Sequence, residues 1–392
     1  MGTFAIKADR FFLPGGVAEG GYLAVTDGKF GTWSEEAPEG VEVRDYTGSW
    51  IAPGMVDTHI HGFYGHATTD NDPDGVNESS LELARHGTTS WLPTTFTQEA
   101  SDLEESCACI AKAADSRGAD FRGARIQGVY LEGPFFTTKH VGAQNPAFLI
   151  DPSYEWFKRW QAASGGRIVK SALAAEKPGA VDYIAKLDAE GIVTAIGHSD
   201  ATYAETLAAV NAGATCFVHT YNGMRGLHHR EPGIVGCAMA TPETYAEVIC
   251  DGRHVQPAAI DALVRAKGWQ HVVLITDCLG CGGLPEGNYM SGGLPVVLWN
   301  DLCYLRNDDG SRGSLAGSVL TLARGVKNVV DWGIVTAEQA VRMATEVPAR
   351  SARIDGTCGS IKPGRDADFV VFDHELNLRE TYLGGESVGS PK

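Results

Sequence analysis

The chain has 392 residues, 43% of them apolar, and carries 32 Lys+Arg against 49 Asp+Glu, a formal charge of −17. Such a length can bury a large core, in two or three domains or as one barrel with an appendage. The acidic balance argues against nucleic acid or an anionic membrane as the main partner.

Residues 1–16 lack a basic segment followed by an apolar core and a cleavage site, and no run of about 20 apolar residues occurs, so a cytoplasmic protein is expected. Nine cysteines, thinly spread, suit reduced thiols better than a disulfide framework. Cys278 and Cys281 have redox or metal spacing but no second such pair, and read as packed or loop thiols.

Short strands are predicted over 3–8, 22–26, 29–33 and 41–45, punctuated by glycine-rich turns. Beyond residue 354 the chain returns to that style, with an apolar strand over 369–372. The ends, 1–52 and 354–392, are expected to pair as a small β-sandwich domain. Between them, over 53–353, apolar runs alternate with helical stretches. The runs cover 51–57, 88–95, 126–132, 168–174, 192–198, 216–220, 245–250 and 272–277. Helices are predicted over 77–86, 99–117, 201–211, 257–267, 318–330 and 337–345. Eight strands alternating with helices predict an α/β fold of the (β/α)8 barrel type, with its chemistry at the C-terminal strand ends.

Those ends carry a recurring polar signature. The first run leads into Asp57, His59 and His61, which share one face of a strand; two imidazoles two residues apart can reach one ion without bending the backbone. Later runs end in or are followed by Glu132, Glu176, His198, His219, Asp251 with His254, and Asp277. Four histidines, one glutamate and one aspartate make a site for one or two divalent ions with an open position. A metal lowers the pKa of bound water to near neutrality, and Asp277 can shuttle the proton to a leaving group, so the predicted reaction is hydrolysis.

The series Asp57-x-His59-x-His61, Leu131-Glu132-Gly133-Pro134, Gly197-His198-Ser199, His219 to Met224, His228 to Gly233, Asp251-Gly252-x-His254 and Thr276-Asp277 resembles the motifs of the amidohydrolase superfamily. More narrowly, it is similar to the N-acetylglucosamine-6-phosphate deacetylase family, through 313–318 and 359–368 as well. The resemblance implies metal-dependent removal of the 2-N-acetyl group from a phosphorylated amino sugar, releasing acetate. It implies Glu132, His198 and His219 as ligands of the principal metal, His59 and His61 as ligands of a second, and Asp277 as metal-facing general base and acid. Zinc is the first expectation for the ion, with iron, manganese or cobalt as alternatives. Asn222, Gly223 and Arg230 would bind phosphate, His254 would contact the sugar, and a homodimer is implied. Gln144 stands where the family usually has histidine; it can donate to a carbonyl but cannot carry charge, which keeps an N-acetylgalactosamine 6-phosphate preference open, and His140 lies near enough to substitute. A cyclic-amide hydrolase of the same superfamily is the rival reading. It would call for a bridging carboxylated lysine, and no lysine ends the fourth run.

Overall fold

A computed structural model describes residues 2–389; residues 1 and 390–392 of the expected end domain lie outside the described residues. The parallel strands are β1 (Met55–Ile60), β2 (Thr88–Pro93), β3 (Val129–Leu131), β4 (Ile168–Leu173), β5 (Val193–Ile196), β6 (Cys216–Phe217), β7 (Tyr245–Ile249) and β8 (Val272–Ile275). At least one helix follows each, as an α/β fold requires. β1 and β2 are buried at every position, as expected for parallel strands covered on both faces.

β1 and β2 form one parallel sheet with Arg125–Ile126, and β3 to β8 form a second, curled sheet in sequence order. Backbone bonds join the two at both edges. The Thr95 N–H donates to the Tyr130 carbonyl at 2.9 Å, the Asp277 N–H to that of His59 at 2.9 Å, and the His61 N–H to that of Cys278 at 2.8 Å. Phe135, Phe157, Trp160, Tyr183 and Phe217 pack between the second sheet and its helices.

The chain ends meet in one sheet. Phe369–Asp373 pairs antiparallel with Glu42–Pro53, Val371 opposite Ile51, and Glu42–Pro53 runs parallel to Thr3–Leu13, all within one eight-stranded sheet. Phe369 stacks on Tyr382 with ring centroids 4.4 Å apart.

Three sequence expectations need adjustment. The run 51–57 is two strands: Glu42–Pro53 belongs to the end sheet, and β1 begins after Gly54, where an added Cβ would lie 2.0 Å from Thr89 Oγ1. The run 126–132 is likewise cut, into Arg125–Ile126 and Val129–Leu131. Between β8 and the helix Leu322–Asp331 stands an unforeseen antiparallel sheet of Gly287–Ser291, Leu294–Trp299, Leu302–Arg306 and Arg312–Leu315. The helix Pro257–Lys267 lies where it was predicted, opened by proline and closed by Gly268 at φ 79°.

Among the described residues no helix is long and apolar enough to cross a membrane. All nine cysteines are unpaired; Cys278 and Cys281 are buried, and Cys281 Sγ lies 3.7 Å from Cys303 Sγ.

Lys267 shows how burial acts on a charge with neutral partners. Its amine donates to the Ala238 and Thr241 carbonyls at 2.8 and 2.9 Å and to Thr244 Oγ1 at 3.0 Å, and burial brings its pKa from 10.5 down to about 8. Between those values the unfolded chain holds a proton that the folded chain has shed, so this group makes stability rise with pH across that window. Lys267→Met is expected to remove that rise. Chemical denaturation of both proteins at two pH values inside the window checks it, and an equal rise in the variant would assign the effect elsewhere.

Candidate metal centre

Six side chains from five strand ends converge. His59, His61 and Asp277 form one group and Glu132, His198 and His219 another, the ligand atoms within each group lying within 4.8 Å of one another. His198, His219 and Asp277 each sit two residues beyond a parallel strand, with φ of 45°, 25° and 51°. Non-glycine residues held in the left-handed region cost about 1–3 kcal/mol each, a strain that persists where surrounding structure enforces it. Here the enforcement at Asp277 is visible. Its N–H is bonded to His59, and its carbonyl accepts from Ser318 N at 2.8 Å. Gly317, inside the motif 313–318, presses so close that a Cβ there would meet the Asp277 carbonyl oxygen at 2.9 Å.

The four imidazoles are oriented from behind. Nδ1 of His61 bonds to the Thr94 carbonyl at 3.2 Å, that of His198 to His140 O at 2.8 Å, that of His219 to Asn222 O at 3.1 Å, and that of His59 to Glu247 Oε2 at 3.0 Å. Carbonyl and carboxylate oxygens only accept, so each Nδ1 carries the proton and each Nε2 turns to the centre. This is the outer support that fixes the tautomer of a metal-binding histidine.

At the centre, Glu132 Oε1 lies 3.3 Å from His59 Nε2 and 3.2 Å from His219 Nε2, while Oε2 is 3.2 Å from His61 Nε2. Glu132 is thus shared between the two groups. Nε2 of His198 and His219 face each other at 3.0 Å. Among the described residues His59 Nε2 and Glu132 Oε1 are fully buried with no hydrogen-bond partner. Burial alone would push His59 down, but the Glu132, Glu247 and Asp277 carboxylates outweigh it and raise it to about 10. Burial likewise pushes Glu132 up, and the surrounding histidines hold it well below the usual carboxylate range. Clustered N and O donors in a field that favours positive charge fit a divalent ion.

The centre opens on a cavity of about 150 Å³ lined by Phe96, Gln144, Asn222, Gly223, His254 and Leu279 along with the cluster residues other than His59. Asp277, at 12% side-chain exposure, is the most open of the six against 7% or less for the rest. Gln144 is clamped, its Oε1 accepting from Thr97 N at 2.7 Å and its Nε2 donating to Glu132 Oε2 at 2.5 Å. His254 Nδ1 bonds to Asp251 at 2.6 Å, leaving Nε2 buried without a partner among the described residues. A larger cavity, about 670 Å³, lies against the end sheet beside Lys29, Arg117, Arg122 and Arg125; neither ligand group lines it.

Asp57, Glu176, His140 and Arg230 are engaged outside the ion cluster. Asp57 is no ligand: it accepts from Thr276 Oγ1 at 2.6 Å and from His59 N at 3.2 Å, tying β1 to β8. Glu176 accepts from Ser199 Oγ and Asp200 N. His140 is turned to Asp200 at 3.1 Å, and its carbonyl accepts from His198. Arg230 is exposed, its guanidinium bonded to His229, and is not among the lining residues of the cavity. Two buried charges were not foreseen, Glu247 on β7 and Lys170 on β4, each in the middle of an apolar run. Lys170 is ion-paired to Glu247, which leaves no free amine on β4 for the bridging role of the rival reading.

The amidohydrolase family model matches residues 50–388. The chain belongs to the amidohydrolase family. Among family members, an N-acetylglucosamine-6-phosphate deacetylase of Vibrio furnissii is 41% identical over 338 residues, 86% of this chain and 82% of that one. An N-acetylgalactosamine-6-phosphate deacetylase of Escherichia coli O157:H7 is 36% identical over 98% of this chain and 99% of its own. A mutant N-acetyl-D-glucosamine-6-phosphate deacetylase from Mycobacterium smegmatis, solved with N-acetyl-D-glucosamine-6-phosphate, superposes with a TM-score of 0.91 at 29% identity, covering 99% of this chain and 100% of that one. As an amidohydrolase, the chain keeps both histidines of the His-x-His pair within its ligand cluster.

Proposed function

We propose that this amidohydrolase removes the acetyl group from N-acetylglucosamine 6-phosphate, giving glucosamine 6-phosphate and acetate, as a cytoplasmic homodimer with zinc as its ion. The observation that carries the reading is the convergence of His59, His61, Glu132, His198, His219 and Asp277 in a chain with full-length deacetylase relatives. The fold reading that accompanies it is a closed (β/α)8 barrel over 53–353, supported by the backbone bonds at both sheet edges. The chain ends would form a β-sandwich beside it.

A divalent ion held by these residues supplies acidity to water and polarises the amide carbonyl. Asp277, open to the cavity and within 3.2 Å of His61 Nε2, takes the proton from the attacking water. The water oxygen adds to the acyl carbon. As the C–N bond breaks, Asp277 returns the proton to the nitrogen, so acetate and the free amine leave. Gln144 holds Glu132 in place through its amide N–H, and Nε2 of His254, without a partner among the described residues, would face the sugar. Asn222 and Gly223 line the cavity; the Asn222 backbone N–H is taken by the His219 carbonyl at 3.0 Å, so the Gly223 N–H and the side-chain amide of Asn222 would donate to the phosphate.

One observation favours a second substrate. Gln144, with both ends of its amide engaged, is a neutral clamp where the family usually has histidine. An N-acetylgalactosamine 6-phosphate preference is the alternative. Acetate release from both 6-phosphorylated epimers, with unphosphorylated controls, tests the reading. No release from any of them by metal-loaded protein would overturn it.

Arg230 lies on the loop that carries Asn222 and Gly223, and its fork matches phosphate oxygens. Arg230→Ala is expected to raise KM about 10-fold or more for the phosphorylated sugar, the loss of one charge-assisted contact, and to leave the unphosphorylated sugar unaffected. Equal effects on the two would remove Arg230 from phosphate recognition.

A further inference from the structure

Three of the four ligand histidines are backed by backbone carbonyls, but His59 alone is backed by a carboxylate. That carboxylate, Glu247, is fully buried on β7, as is its partner Lys170 on β4. Glu247 Oε1 accepts from the Lys170 amine, and Oε2 accepts from His59 Nδ1 and, at 3.4 Å, from His219 N. The Lys170 amine also lies 4.2 Å from the Tyr130 ring, whose edge-on contact with the His59 ring spans 5.0 Å between centroids. Lysine, glutamate and imidazole thus form a line through the protein interior that ends at His59 Nε2. A buried ion pair of this kind is weak evidence for a stability role, since apolar side chains of similar size serve as well.

We propose that Glu247, with Lys170 behind it, is a positioning pair that fixes His59 as a metal ligand and sets the occupancy of the His59–His61–Asp277 position separately from the Glu132–His198–His219 position. Glu247 holds the ring plane and the Nδ1 proton, so that Nε2 meets an ion as a lone pair. Lys170 locks the free end of the carboxylate, so that Glu247 cannot swing off His59. The inference rests on the metal-centre reading of the site, and it does not depend on which amide is hydrolysed.

The test is metal binding without substrate. Chelator-stripped protein is titrated with Zn²⁺ against a competing chelator, for the wild type, Glu247→Gln and the double variant Glu247→Gln/Lys170→Met. The double variant removes both charges together and guards against misfolding from one unpaired buried charge. Loss of an outer-shell partner weakens a metal site about 10–100-fold. One dissociation constant should therefore rise by that factor while the other stays put. In a His61→Ala background, where the same position is already broken, Glu247→Gln should add no further loss. Lys267→Met, at a buried lysine whose amine bonds to Ala238, Thr241 and Thr244 and to none of the ligands, serves as the structural control and should move neither constant. Equal shifts of both constants, no shift in either, or a wild type that never takes a second ion would each overturn the proposal. Absent acetate release from wild-type protein would instead refute the deacetylase reading and leave this one standing.

Discussion

Glu132→Gln should abolish retention of an ion at the Glu132–His198–His219 position and lower acetate release by about 10³-fold or more. Glu132 is the carboxylate common to both ligand groups, with oxygens 3.2 to 3.3 Å from three imidazole Nε2 atoms. Its charge is the counter-charge that permits a cation in a fully buried setting, and a neutral amide of the same size supplies no such term. The loss follows from the several kcal/mol of transition-state stabilisation that a metal ion contributes, at about 1.4 kcal/mol per factor of ten. Added metal should also cease to stabilise the fold. In the wild type an ion at about 100 times its dissociation constant adds about 2.7 kcal/mol, whereas the variant's melting temperature should not respond. Elemental analysis after dialysis and melting curves with and without Zn²⁺ read this directly. A variant that keeps a full complement of ions would remove Glu132 from the first coordination shell.

The ligands were legible because parallel strands announce themselves as apolar runs, and chemistry at their C-terminal ends appears as His, Glu or Asp just where each run stops. His198, His219 and Asp277 all stand two residues past their strands, a regularity that survives any small error in strand bounds. The same rule hid Glu247 and Lys170. A search confined to strand ends passes over charges in mid-run, although Tyr-Ala-Glu-Val-Ile and Ile-Val-Lys-Ser-Ala-Leu each bury a charge that had to find a partner.

The antiparallel insert over 287–315 had its own signals. Gly292-Gly293 and Asn300-Asp301, all at positive φ, are the residue pairs that two-residue hairpins demand. Left unassigned, they hid a sheet whose last strand supplies Leu315 to the cavity wall. The loop proposed to take the phosphate was harder to read. The family resemblance groups Arg230 with Asn222 and Gly223, but an exposed guanidinium is placed by whatever it can bond to. Within one chain that is His229.

Asp277→Asn should leave the ion at the Glu132–His198–His219 position and lower turnover by about 10²–10⁴-fold, the usual contribution of a general acid–base residue. Two features separate this from a structural defect. The backbone at 277 is held by main-chain bonds to His59 and Ser318 and by the close approach of Gly317, none of which needs the carboxylate. Asparagine also tolerates a positive φ, so the strained conformation at 51° remains accessible to it. What it lacks is a lone pair basic enough to accept a proton from water and return it to the amine nitrogen. The fall should appear in kcat with KM little changed, because the proposed substrate contacts at Asn222 and His254 are untouched. A rise in KM of the same size as the fall in kcat/KM would assign Asp277 to binding. Near-normal turnover would mean that another group in the cavity moves the proton, and His254, with its Nε2 unpartnered among the described residues, is the side chain placed to do so.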